Sequence, residues 1–143
     1  MRKTWKIALL AAALLAMLCA AGFGEEADYL GKPLADFAVG TIDGNTFTLS
    51  GALEAHDMVL INLWATWCPP CEAEFPYLEE AYEAYSDRVA VVALSIEPSD
   101  TPEALREYAD SHGMTFPVGS DTETGLANTF GVMSIPTSIV VDR

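Results

Sequence analysis

Cys68 and Cys71 stand on either side of Pro69 and Pro70, at what reads as the start of a helix. A thiolate is the nucleophile of disulfide exchange. A helix N-terminus offers it unpaired N–H groups and the positive end of the backbone dipole. In such a pair the first cysteine attacks a substrate disulfide and the second, one turn later, resolves the mixed disulfide. Cys68 is therefore the expected nucleophile, the more exposed of the two, and Cys71 the expected resolving thiol. A structural disulfide and half a zinc site are the competing readings. A pair this close in sequence closes almost no loop and stabilises little. Zinc would need two more ligands, whereas the chain has no second cysteine pair and its His56 and His112 are remote in sequence. Dithiol exchange is the favoured chemistry, and it requires neither metal nor cofactor.

The neighbours of the pair tune it. Neither Pro69 nor Pro70 has an N–H to offer the Cys68 sulfur, and Glu72 and Glu74 add negative charge nearby. A less stabilised thiolate means a more reducing couple, which favours a reductase over an oxidase. Glu74 lies three residues after Cys71, on the same helix face, and borders the apolar side at Phe75. A partly desolvated carboxyl there is placed to pass a proton to or from Cys71. On spacing alone it can equally be a solvated helix charge like Glu72 or Glu79. Trp67, beside Cys68, is a candidate for the docking surface, and Trp64 for the core. Pro136 either forms a cis bond with Ile135, which proline permits, or merely starts a strand.

The elements that must position these residues alternate in type. Phe37 to Leu49 reads as two short strands around the turn signal Asp43–Gly44. Met58 to Trp64 is a continuous apolar run, as expected of a central strand buried on both faces. A helix is predicted from the cysteine pair to about Tyr85, with Phe75, Leu78 and Tyr82 at helical spacing and a kink at Pro76. Val89 to Ile96 is the next buried strand. Thr101-Pro102 caps and opens a helix that Gly113 ends. A shorter helix is predicted over Thr122 to Phe130, closed by Gly131, and a last apolar strand over Thr137 to Val141. Strands alternating with helices imply an α/β domain with a mixed sheet covered on both faces.

The first residues do not belong to that domain. Arg2, Lys3 and Lys6 precede an apolar run, Ile7 to Ala21, followed by small residues and then Glu25–Glu26. This is the pattern of a secretory signal; an uncut membrane anchor is the rival. Cys19 falls inside it, so the exported domain would hold only the Cys68–Cys71 pair. The 143-residue chain has a formal charge of −14. Loss of the three leader cations leaves four basic against 21 acidic side chains, −17. Such a charge argues against nucleic acid and against anionic lipid surfaces as partners.

The segment Trp64-Ala65-Thr66-Trp67-Cys68-Pro69-Pro70-Cys71, followed by Glu74-Phe75-Pro76, resembles the active-site segment of the TlpA/ResA-like thioredoxins. Gly131-Val132-Met133-Ser134-Ile135-Pro136-Thr137 is similar to the cis-proline loop of the same family. The resemblance extends from about Gly31 to Arg143. It implies a thioredoxin fold with an N-terminal β-hairpin extension, arranged as a leader or anchor over 1–24, a linker over 25–36 and the thioredoxin-like domain over 37–143. It also implies one more strand and helix than the chain holds, so the domain is expected to be C-terminally truncated.

For function, the resemblance implies an extracytoplasmic, often membrane-tethered reductase of protein disulfides, in some cases serving cytochrome c maturation. Oxidised proteins would be its substrates, a membrane thiol carrier its electron donor, and a monomer its default state. It implies catalytic roles for Cys68, Cys71 and Glu74. Pro136 is cis in this reading, and the backbone of Ile135 is free to pair with an extended substrate beside Trp67, Pro69 and Pro70. Ordinary thioredoxins carry a buried acid where this chain has Asn62; an amide cannot titrate, which throws the proton onto Glu74. Three alternatives are weighed: a peroxiredoxin-like thiol peroxidase, for which no upstream proline-containing motif is found around Cys68; a copper-delivery protein of this fold, which would use a wider cysteine spacing and a matched histidine; and a redox-inert peptide-binding module of the same fold.

Overall fold

The computed structural model describes residues 29–143. The chain divides into Met1–Gly31 and Lys32–Arg143, and the second unit carries the fold. The expected leader and Cys19 lie outside the described residues. No helix among the described residues is long and apolar enough to cross a membrane.

Among the described residues, six strands and four helices follow in the order β1 (Ala38–Gly40), β2 (Thr46–Thr48), α1 (Leu49–Ala55), β3 (Met58–Trp64), α2 (Pro69–Tyr85), β4 (Val89–Ser95), α3 (Pro102–His112), β5 (Val118–Ser120), α4 (Leu126–Thr129) and β6 (Thr137–Asp142). The main sheet has the order β5-β4-β3-β6. β3 and β4 run parallel, with Asn62 beside Ala93, while β6 is antiparallel to β3, with Ser138 beside Asn62. The sheet is therefore mixed, with helices packed on it, as a thioredoxin fold requires.

The apolar runs of β3 and β4 take their central position by filling two cores at once. Successive side chains of a strand point to opposite faces. Val59, Ile61 and Leu63 of β3, with Val92 and Leu94 of β4, join Leu49 of α1 and Leu126 of α4 in one core. Trp64 of β3, with Val91 and Ala93 of β4, joins Cys71, Phe75 and Leu78 of α2 and Leu105 of α3 in the other. Each fully buried aliphatic or aromatic side chain contributes about 1.5–3 kcal/mol. The face that carries Trp64 also carries the one polar side chain of β3, Asn62, which is wholly buried.

The β1–β2 hairpin forms around Asp43–Gly44 and docks on the β5 edge through the amide of Ile42, which donates to the carbonyl of Val118 at 2.9 Å. The approach is close enough that a Cβ on Gly119 would stand 2.9 Å from the Gly40 carbonyl oxygen, so only glycine fits there. Packing begins upstream of the hairpin: Leu34 and Phe37 lie against the core, and Asp36 accepts the Ser50 amide at 2.9 Å.

Three expected elements are corrected. Leu49 opens α1 instead of ending a strand, because the Thr48 side chain caps the helix by accepting the Gly51 amide. β5 adds a short strand that the sequence reading did not contain. The last helix covers Leu126–Thr129 alone. Residues 121–125 form a turn instead, since the Asp121 carboxylate accepts the amides of Leu126 and Ala127, at 2.7 and 2.9 Å, and so holds the chain outside the helix. α3, by contrast, is capped as expected by Thr101 and closed by Gly113 at a φ of 65°, a conformation only glycine adopts without strain.

Candidate active site

β3 ends at Trp64, and a short loop later the chain enters α2. That places the cysteine pair at the carboxyl end of parallel strands, where α/β folds gather their sites. Cys68 is the N-cap of α2, with Pro69 and Pro70 at its first two positions. A disulfide joins Cys68 and Cys71. Cys71 is completely buried and Cys68 is 4% exposed. In the oxidised state, then, the expected exposed thiol keeps only a sliver of surface, though it remains the more accessible of the two. The Cys71 amide donates to the Cys68 sulfur at 3.3 Å. The two prolines leave it as the first N–H of the helix, and it also donates to the Cys68 carbonyl at 3.0 Å.

The loop before Cys68 is clamped from the β4–α3 connection. The Thr66 hydroxyl and amide donate to the Asp100 carboxylate at 2.7 and 3.2 Å, and Ser95 donates to the same group at 2.5 Å. Asp100 is buried, and these three donors stand in for the water it has lost. The next residue, Trp67, is 61% exposed, yet its indole N–H donates to Glu97 at 2.9 Å. Trp64 lies wholly in the core, edge-on to Phe75. Thr66, Glu97 and Asp100 were absent from the sequence-based site. The only sequence signal for the latter two is their place in the turn after β4, at the same sheet end as the cysteines.

The indole of Trp67, and after it Ser99, hold the Glu97 carboxyl below its ordinary 4.5. A depressed carboxylate pKa means that the Trp67–Glu97 bond is complete above pH 4.5 and is lost as pH falls through the lowered value. Trp67 emission is expected to change with a midpoint below 4.5, and Glu97→Gln, which still accepts the bond but does not titrate, should remove that transition. The same transition persisting in the Gln variant would assign it to another group.

Glu74 is half-buried on α2, and its carboxylate accepts from the Asn62 amide nitrogen at 3.2 Å. The same nitrogen donates to the Ser138 hydroxyl at 3.2 Å. Ile135–Pro136 is a cis peptide bond, in the loop that leads into β6, where the Thr137 hydroxyl donates to the Ser134 carbonyl at 2.7 Å. Met133 in that loop is 95% exposed. Glu72 faces the other way and meets the His112 imidazole at 3.6 Å. Burial pushes the Tyr108 hydroxyl up, and the charge of Glu72 adds to the shift.

The described arginines are engaged elsewhere. Arg88 and Arg143 both pair with Asp57, at the opposite end of β3, about 20 Å along the strand. Arg106 donates to the Ile42 carbonyl. Among the described residues, no guanidinium is thus held against the Cys68 sulfur.

A mixed sheet with a cysteine pair capping the helix after its central strand, and a cis-proline before the antiparallel strand, defines the class: this is a thioredoxin-fold protein of the TlpA/ResA-like kind. The chain belongs to the AhpC/TSA family, which it matches over residues 30–143. It is 36% identical over 114 residues to the thioredoxin-like protein YneN of Bacillus subtilis, covering 79% of this chain and 65% of that protein. It is 33% identical over 120 residues to the thiol-disulfide oxidoreductase ResA of Bacillus anthracis, covering 83% of this chain and 67% of that one. Among solved structures, StoA from Bacillus subtilis superposes with a TM-score of 0.64 at 26% identity, over 76% of this chain and 80% of that one.

Proposed function

We propose that the protein is an exported thiol–disulfide oxidoreductase that reduces disulfides in other proteins through Cys68 and Cys71. The observation that carries this reading is the disulfide at the N-terminus of α2, in which Cys71 is fully buried and Cys68 keeps the only trace of exposure of the two. In the reduced protein the Cys68 thiolate attacks a substrate disulfide and expels one substrate thiolate, forming a mixed disulfide. Cys71 gives its proton to Glu74 and attacks the Cys68 sulfur. The second substrate thiolate leaves and takes up a proton, and the pair closes to the disulfide seen here. Two electrons pass to the substrate, and a membrane thiol carrier returns them.

Trp67, Pro69 and Pro70 form one wall of the docking site, and the Ile135 backbone beside Pro136 offers the substrate a strand edge. The apolar N-terminal run supports export, either as a cleaved leader or as an anchor. The resemblance to the TlpA/ResA-like thioredoxins supports an extracytoplasmic reductase, with apocytochromes one of several classes of protein substrate that would fit. The acidic charge gives no footing to nucleic acid, and a monomer suffices because both cysteines come from one chain.

A redox titration of the Cys68–Cys71 couple against dithiol buffers tests the direction of electron flow. A potential near or below about −250 mV places the protein with thioredoxin-like reductants. A value near about −120 mV would place it with strong oxidants and refute the reductase reading.

A further inference from the structure

Asn62 is wholly buried, and only half of its amide is used. The nitrogen gives one N–H to Glu74 and one to Ser138. Its carbonyl oxygen, buried beside them, has no partner. A buried polar atom of this kind is rare and costly, and here it lies on the amide that already holds the proposed proton carrier. A carboxylate can only accept hydrogen bonds, whereas a carboxylic acid also donates one. A carboxylic acid facing a primary amide forms a closed pair in which its O–H donates to the amide oxygen while its carbonyl accepts the amide N–H.

We infer that Asn62 is the positioning residue for the proton on Glu74. When Glu74 takes the proton of Cys71, its new O–H donates to Asn62 Oδ1, and its other oxygen keeps the Asn62 N–H. The amide thus supports both states of the carboxyl, and the orphan oxygen is the acceptor reserved for the protonated one. Ser138, beside Asn62 in the β3–β6 register, fixes the amide in this orientation by accepting its second N–H. β3 carries no charged residue and neither does the stretch 131–141. On α2 the titratable neighbours one turn away are Cys71 and the exposed Tyr77, while Glu72 is turned toward His112. The inference rests on the reading of Glu74 as proton carrier.

The test is a double-mutant cycle on the pH dependence of the resolving step, the decay of a preformed mixed disulfide on Cys68. Glu74→Gln is expected to remove one limb of that profile. Asn62→Leu, of similar volume, should slow the step about tenfold and displace the limb when Glu74 is present. It should change the rate less than about twofold when residue 74 is Gln. Ser138→Ala, which leaves the core intact, should show the same dependence on Glu74 with a loss of about threefold. It decides the matter if the Leu variant does not fold. Equal losses in both backgrounds, or no loss beside Glu74, would overturn the inference. A Glu74→Gln profile identical to the parent's would instead remove Glu74 from the mechanism, and the inference with it, leaving the two-cysteine function standing.

Discussion

Cys68→Ser is expected to abolish disulfide reduction, a loss of about a thousandfold or more, whereas Cys71→Ser should stall after one event with the substrate still attached. The difference follows from burial. Cys71 is wholly inside the protein beneath Cys68, so no substrate sulfur can reach it and its only accessible target is the Cys68 sulfur. Without Cys68 the pair has lost the more accessible of its two thiols. Without Cys71 the nucleophile still attacks, but nothing breaks the bond it forms. The Cys71→Ser variant should therefore accumulate a mixed disulfide, visible by mass and released by dithiothreitol, while the Cys68→Ser variant should form none. The same pair of variants separates the other readings. A thiol peroxidase would consume peroxide through Cys68 without trapping a protein partner. A redox-inert binding module would bind equally well with either serine. Trapping by the Cys71→Ser variant alone is the outcome that only stepwise dithiol exchange produces.

How much of this could be read from the chain depended on the range over which each signal acts. β3, β4, α2 and α3 were legible because each carries its own periodicity or caps: an unbroken apolar run, a helical spacing from Cys71 through Phe75 and Leu78, or Thr101 and Gly113 at the two ends. α1 is only seven residues long and contains Gly51, too short for a period to show. β5 is three residues with a glycine in the middle, and exists because parallel pairing with β4 holds it. The helix expected from Thr122 was overruled by one side chain, Asp121, whose carboxylate satisfies the amides that an earlier helical turn would have used.

The site divides in the same way. Cys68 and Cys71 belong to a local motif whose chemistry is carried by residue type and spacing, whereas the cis bond before Pro136 was implied by the resemblance of its loop. The groups that hold them in place come from far along the chain. Asp100 reaches Thr66 across 34 residues and Ser138 reaches Asn62 across 76, distances over which a single sequence offers no pairing signal. Asn62 stood out only through the resemblance, where ordinary thioredoxins carry a buried acid, and its two partners became visible only when α2 was packed over β3 and β6 was paired beside it.

Pro70→His is expected to raise the reduction potential of the pair by about 30–60 mV, and the geometry of the helix cap explains why this proline and not its neighbour is responsible. A side chain at the N-cap accepts from the second or third amide of the helix. Cys68 is that cap, Pro70 occupies the second position and Cys71 the third. The third amide already donates to the Cys68 sulfur at 3.3 Å; the second is missing because it belongs to a proline. Any other residue at position 70 returns that donor, and histidine adds an imidazolium near the sulfur. A hydrogen bond to a charged group is worth about 1.5–3 kcal/mol, and about 1.4 kcal/mol corresponds to about 30 mV in a two-electron couple. Both additions favour the thiolate and hence the reduced form, so the potential must rise. Pro70→Ala isolates the donor and should give about 30 mV. Pro69→Ala restores an amide at the first position, which does not serve the cap, and should move the potential by less than about 10 mV. A shift of equal size at both prolines would show that loop rigidity, and not the missing donor, sets the potential. An unchanged or lower value for Pro70→His would refute the missing donor at Pro70 as a reason for the proposed reducing potential.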